Sequence, residues 1–235
     1  MLIYGKNPVK DLFDFNKKKI KKVYIEKKRH QSFYAELEKN GIELIDYRNF
    51  KYNEEVSSKN NTQGIIALID EPKNHSIKEL IESNKGIKRP VIVMLDRIKD
   101  PQNFGAIIRN SVAFDVTAII YPSRNSAKLN STSMKTSAGM WQHIKLVEVS
   151  NLYNAIKDLK ENDYWIISTS LEANTNLEEI KDFDKPLVVL LGNEGKGVKK
   201  TLQEEADFNI KIKMSDKAES LNVSSAAAII LNMLY

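Results

Sequence analysis

Two runs in this chain, Val91–Leu95 (VIVML) and Leu187–Leu191 (LVVLL), are apolar at every position. A strand with one wet face alternates apolar and polar residues. A run that never alternates must be covered on both faces, as in a parallel sheet between two layers of helices. Further strand patterns lie at Ala118–Tyr121, Ile144–Val149, Tyr164–Thr169 and Phe208–Ile212. Helical patterns lie between them at Phe104–Phe114, Leu152–Glu161, Val198–Glu205 and Leu221–Leu234. Strand and helix in alternation define an α/β fold with a parallel sheet, whose ligands sit at the carboxyl ends of the strands.

The first 70 residues form a separate, smaller α/β module. Lys6–Phe15 and Gln31–Lys39 read as helices, the first with Asn7 as N-cap and Pro8 at the first helical position, the second ended by Asn40-Gly41. Val23–Ile25, Ile42–Ile45 and Gly64–Ile69 read as strands. Residues 71–90 carry Pro72, Asn74, Ser83, Asn84, Gly86 and Pro90 and read as a linker holding one short helix, Ser76–Glu82. The expected organisation is therefore a domain at 1–70, a linker at 71–90 and a domain at 91–235.

Charge separates the two domains. Residues 1–60 hold 14 Lys/Arg against 9 Asp/Glu, while the rest of the chain holds 22 of each. Eight of the basic residues (Lys17, Lys18, Lys19, Lys21, Lys22, Lys27, Lys28 and Arg29) fall in one stretch opposed only by Glu26. Such a cluster attracts a phosphate backbone through counterion release, and a solvated lysine-rich face is the other reading of the same residues. There is no cysteine, so thiolate metal sites and disulfides are excluded, and the three histidines lack metal-ligand spacing. No signal peptide or membrane-length apolar run is evident, which points to a cytoplasmic protein without a membrane or metal partner.

Three strand-to-loop junctions carry residues suited to chemistry. In LDRIKDPQNFGAIIRNS (95–111), Asn103 stands where it can cap the following helix, Gly105 permits close backbone approach, and Arg109 follows nearly two turns later. In LLGNEGKGV (190–198), Gly192, Gly195 and Gly197 surround Asn193-Glu194 in a loop that lets backbone approach a cofactor. It lacks the pattern of a phosphate loop, and GxGxxG is absent, which counts against a dinucleotide-dependent dehydrogenase. In IKMSDKAESLNVSSAAAII (212–230), Ser220 and Asn222 stand at the start of a small-residue helix, and Glu219 complements its N-terminus. Singly, each junction also reads as an ordinary cap, turn or surface charge.

Taken in order, NxGxxxR, LGNEGKG and ESLNVS resemble the three motifs of the SpoU class of the SPOUT superfamily, with KTSAGMWQH (135–143) similar to the family's SAG segment. The opening YGKNPV and the TQGIIAL strand resemble the ribosomal-protein-like substrate-binding domain of the rRNA guanosine-2′-O-methyltransferases in that class. The resemblance implies an S-adenosylmethionine-dependent RNA ribose 2′-O-methyltransferase with a trefoil knot in its last third. It implies a homodimer with the active site at the subunit interface. Residue by residue, it places Gly192, Ile212, Met214 and Leu221 at cofactor positions, and Asn103, Arg109, Glu194, Ser220 and Asn222 in the active site. Three positions depart from the family pattern: Lys213 and Asp216 in the third motif, and Thr62 where the family usually has His. The substrate implied is a guanosine of 23S rRNA. The alternatives are tRNA, an rRNA adenosine as in resistance enzymes, or a non-catalytic RNA-binding assembly factor that retains the fold.

The 2′-hydroxyl is a weak nucleophile and sheds its proton during attack. Arginine is almost never deprotonated in proteins. The expected role of Arg109 is thus to stabilise the forming alkoxide, while Asn103, Ser220 and Asn222 orient the ribose and Glu194 pairs with Arg109 or organises the loops.

Overall fold

The computed structural model of the chain describes every residue except Leu171, Asn174, Lys181, Glu194 and Asp216. The amino-terminal part runs β1 (Leu2–Tyr4), α1 (Lys6–Asn16), β2 (Ile20–Ile25), α2 (Gln31–Lys39), β3 (Glu43–Asp46) and β4 (Ile65–Ile69). Its sheet has the order β1-β4-β2-β3, antiparallel except where β2 and β3 run together. Then come α3 (Ile77–Asn84), β5 (Val91–Leu95), α4 (Pro101–Ala113), β6 (Ala118–Pro122), α5 (Ser131–Thr136), β7 (Lys145–Val149) and α6 (Leu152–Lys160). The chain finishes with β8 (Trp165–Thr169), β9 (Thr175–Asn176), β10 (Leu187–Leu191), α7 (Lys200–Gln203), β11 (Phe208–Lys211) and α8 (Val223–Leu234).

The large sheet has the order β7-β6-β5-β10-β8-β11-β9 and is parallel at every pairing. The two apolar runs, β5 and β10, are paired at its centre. Val91, Val93 and Leu95 of β5 enter one apolar cluster, and Ile92 and Met94 enter the other. β10 divides in the same way, with Val188 and Leu190 opposite Leu187, Val189 and Leu191. This two-sided burial explains the absence of alternation. Each fully buried aliphatic side chain contributes about 1.5–3 kcal/mol from removal of apolar surface from water.

One cluster is covered by α3, α6 and α7 through Leu80, Leu152, Ile156, Leu159 and Leu202. The other is covered by α4 and α8 and continues without a break into the small domain, through Ile3, Val9, Leu12 and Phe13. The segment expected as a linker therefore contributes a core helix. Leu80 is fully buried, and α3 is started by a capping box in which Ser76 accepts from the Glu79 amide and Glu79 accepts from that of Ser76.

Several helix ends differ from the sequence expectation. α1 is capped by Gly5 at φ 97°, not by Asn7, so Pro8 sits inside the first turn. α4 starts three residues before Phe104: Asp100 is its N-cap, accepting from the Gln102 amide at 2.8 Å, and Pro101 is its first residue. An Asp-Pro pair is the stronger start signal, since it combines a carboxylate acceptor with a preset φ. Asn103 is thus not a cap and keeps its side chain for other work. The helix expected at Val198–Glu205 is only the single turn α7, and that expected from Leu221 begins at Val223 with Asn222 as its cap. Short features that were not foreseen include β1, β9, α5 and the 3-10 turn Met140–His143.

Candidate active site

The loops after the two central strands are tied together at the carboxyl edge of the large sheet. The Asp96 amide donates to the Leu191 carbonyl at 2.8 Å. The Asp96 carboxylate is buried and accepts from the Arg97 guanidinium at 2.9 and 2.8 Å and from the Lys199 amide at 2.9 Å. Arg97, with a left-handed φ of 59°, also donates to the Gly197 carbonyl, and its own carbonyl accepts from the Asn193 side chain at 3.1 Å. Pairing with Asp96 raises the pKa of Arg97 above its usual value. Neither Asp96 nor Arg97 carried a functional reading in the sequence. The signal available was a charged pair ending an otherwise apolar strand.

This clasp shapes the 192–198 loop. Asn193 and Gly197 exchange backbone hydrogen bonds at 3.1 and 2.8 Å. The return leg passes so close to Gly192 that a β-carbon there would lie 2.1 Å from the backbone of Gly197 and Val198. Only glycine fits that approach. Beyond the loop is a cleft of about 600 Å³, walled by Thr169 and Ser170 at the end of β8, by Leu191–Asn193 at the end of β10, and by Ile210–Ile212 and Met214 at and beyond the end of β11. Ser220, Leu221 and Val223 close it.

All four expected cofactor positions, Gly192, Ile212, Met214 and Leu221, line this one cleft, and so does Ser220. The mixture of aliphatic walls, backbone and hydroxyl groups suits a ligand with an apolar ring and a polar tail. S-adenosylmethionine has that character, and the volume is ample for it.

The cleft adjoins a pair of asparagines. Asn222 caps α8 by accepting from the Ser224 amide at 2.9 Å, and its side-chain amide donates to Asn103 Oδ1 at 3.0 Å. About two turns along α4, Asn110 donates to the Ser224 carbonyl at 2.9 Å. Asn103 and Asn110 are seven residues apart and share a helix face, which is the face that meets α8. Arg109 lies about 120° round the helix from Asn103. It is exposed, makes no ion pair or hydrogen bond among the described residues, and is not in the wall of the cleft. Asn103, Asn222, Ser220 and the cofactor positions are thus brought together within one chain, and Arg109 is not. Glu194, expected beside them, lies outside the described residues, as does Asp216; Lys213 is exposed beyond β11.

The basic stretch is divided by the fold. Lys17–Lys19 precede β2 and Lys27–Arg29 follow it, roughly 20 Å apart along a six-residue strand. Between them Lys21 pairs with Asp70 at 2.9 Å and Lys22 lies over the Tyr24 ring. Thr62 is buried, its hydroxyl bonded to that of Tyr47.

A parallel α/β sheet with a glycine-shaped cleft at its carboxyl edge, joined to a small basic domain, defines a cofactor-dependent enzyme class with a charged macromolecular substrate. Residues 90–232 match the SpoU rRNA methylase family, and residues 2–75 match the RNA 2′-O ribose methyltransferase substrate-binding domain. The chain belongs to the SpoU rRNA methylase family. It is 32% identical over 234 residues to the 23S rRNA (guanosine-2′-O-)-methyltransferase RlmB of Escherichia coli K12, covering 98% of this chain and 96% of that one. The SpoU methyltransferase AviRb of Streptomyces viridochromogenes superposes with a TM-score of 0.81 at 18% identity, over 100% of this chain and 88% of that one. The AdoMet-bound rRNA methyltransferase of Sinorhizobium meliloti gives 0.78 at 24% identity, over 99% and 85%. At these identities the structural likeness is one of fold.

Proposed function

We propose that this protein transfers a methyl group from S-adenosylmethionine to a ribose 2′-hydroxyl of RNA, and that the acceptor is a guanosine of 23S rRNA. The observation that carries the reading is the meeting of the glycine-shaped cleft with the Asn103–Asn222 pair at the carboxyl edge of the large sheet. Near full-length similarity to an enzyme named for 23S rRNA guanosine supports that nucleotide as the target.

When bound, the cofactor supplies an electrophilic methyl on a sulfonium centre. The chain's part is position and electrostatics. Gly192 lets the loop close against its return leg, and Ile212, Met214 and Leu221 would hold the apolar part of the cofactor. Asn103 and Asn222 fix one another beside the cleft, where with Ser220 they orient the ribose. Arg109 stabilises the alkoxide as the proton leaves to phosphate or water, and Glu194 pairs with Arg109 or organises the loop.

The exposure of Arg109 fits a homodimer. Ile229, Met233 and Tyr235 are exposed apolar residues on or just after α8, next to α4. A second copy covering that face would enclose Arg109 and complete a site at the subunit interface. The reading includes the trefoil knot that the family resemblance implies, and action in the cytoplasm. RNA is held by the small domain through part of its basic stretch, the Lys27–Arg29 turn. Ribose-methylation mapping of RNA from cells with and without the gene tests the proposal. Loss of one 2′-O-methylguanosine in 23S rRNA is expected, and an unchanged rRNA map would overturn that target.

A further inference from the structure

The small domain is seated on the catalytic domain by side chains that run the length of α1. Near its start, Lys135 of α5 lies over Gly5 and donates from Nζ to Gln63 Oε1 at 2.9 Å. At its middle, Asp11 accepts from Gln142 at 2.9 Å and lies 3.2 Å from His143 Nε2. Near its end, Phe15 packs on the His143 ring. α5 in turn packs on the first turns of α4, where a β-carbon at Gly105 would meet the Ser133 carbonyl at 2.5 Å. The start of α1 therefore lies toward the amino-terminal end of α4, the end that holds Asn103, against the helix face opposite to it. Its end, and Lys17–Lys19 after it, lie toward the opposite edge: the Lys19 carbonyl accepts from Asp70, and the following segment joins β7 near its first residues through His75 and Leu146. β2 then carries the chain back, so Lys27–Arg29 return to the side of the site, and the Arg29 side chain lies close to Gly64.

At that returning corner, positive charge outnumbers acid. Lys135 is half-buried, and its one hydrogen-bond acceptor among the described residues is the neutral Gln63 amide. Burial lowers its pKa, the mark of a cation without a compensating anion. Gln63 Oε1 also accepts from the Lys6 amide at 2.9 Å, and the Gln63 side-chain N–H groups have no acceptor among the described residues. Lys6, Lys28, Arg29 and Lys135 make no ion pair among the described residues, and Lys27 lies over the Tyr34 ring. Glu26 is the acid at this corner, placed against Gly64.

We propose that Lys135, Lys6 and the Lys27–Arg29 turn form the track that carries the RNA phosphate backbone from the small domain to the ribose site, and that Lys17–Lys19 lie off it. The proposal rests on RNA being the substrate. Lys135 belongs to the catalytic domain, so one contact both joins the domains and sets the register of the RNA between them.

The test uses a transcript of large-subunit rRNA with the full-length protein. RNA affinity is measured against salt, along with KM and kcat for methyl transfer and affinity for S-adenosylmethionine. Lys135→Gln should lower the slope of log affinity against log salt by about one and raise KM for RNA several-fold, leaving cofactor affinity unchanged. Lys135→Arg should restore both. Changing Lys17, Lys18 and Lys19 together to Gln should leave the slope near wild type. A purely structural tie would alter KM without altering the slope, and that result would overturn the proposal. A larger slope loss from the Lys17–Lys19 variant would overturn it too. Wild-type protein that neither binds nor methylates the transcript would instead overturn the functional reading itself.

Discussion

Gly192→Ala isolates the close approach that shapes the cleft. The glycine does not have a left-handed φ, so alanine meets no backbone penalty there and the effect is steric. The new β-carbon would stand 2.1 Å from backbone atoms of Gly197 and Val198, and ordinary contact begins at 3.4 Å, so the return leg must retreat by about 1.3 Å. That retreat breaks the two backbone bonds between Asn193 and Gly197. Each is worth about 1 kcal/mol net, and overpacking of backbone against a side chain costs about 1–3 kcal/mol. A total of about 3–5 kcal/mol falls on the loop rather than on the core. If the cofactor binds only the closed loop, the cost transfers to its affinity, about a hundred- to several-thousandfold. Calorimetric titration of S-adenosylmethionine into the variant measures this, with urea unfolding to show that the core is intact. Cofactor affinity within threefold of wild type would refute the closed-loop account of the cleft.

Arg109→Ala should lower methyl-transfer turnover on the order of a hundredfold, with cofactor affinity unchanged, in single-turnover kinetics. Near wild-type turnover would remove Arg109 from the site. Asn222→Ala removes a helix cap and the bond to Asn103; a loss of about 1–2 kcal/mol, or a few degrees in melting temperature, is expected together with a fall in turnover, and an unchanged melting temperature would speak against the capping role. Asp96→Ala leaves Arg97 without its carboxylate and unties the two loops; about 3 kcal/mol of stability should be lost in urea denaturation, and a loss below 1 kcal/mol would show that the clasp is dispensable.

The central sheet was legible because its chemistry is uniform. β5 and β10 are apolar on both sides, and covering both faces leaves few arrangements. Helices with a strong periodic face, such as α2 and α6, were placed to within a residue or two. Ends were harder. Asn103 has the residue type of a cap, but the competing Asp100-Pro101 pair starts the helix earlier, and only the tertiary fold turns Asn103 toward Asn222. The expected cofactor positions came from family motifs rather than from local chemistry; Ile212, Met214 and Leu221 look like any other aliphatic residues until the fold gathers them round one cleft. Asp96 and Arg97 went unread because their function is to clasp two loops whose sequences lie about a hundred residues apart. The basic stretch read as one cluster because sequence carries no direction, whereas β2 sends its two halves to opposite edges of the molecule.

The most direct test of the account is nucleoside mass spectrometry of 23S rRNA after incubation with purified protein and isotopically labelled S-adenosylmethionine. Label in 2′-O-methylguanosine, lost with Arg109→Ala, is the result the account predicts. Label on a base, or none in protein shown to bind the cofactor, would contradict it.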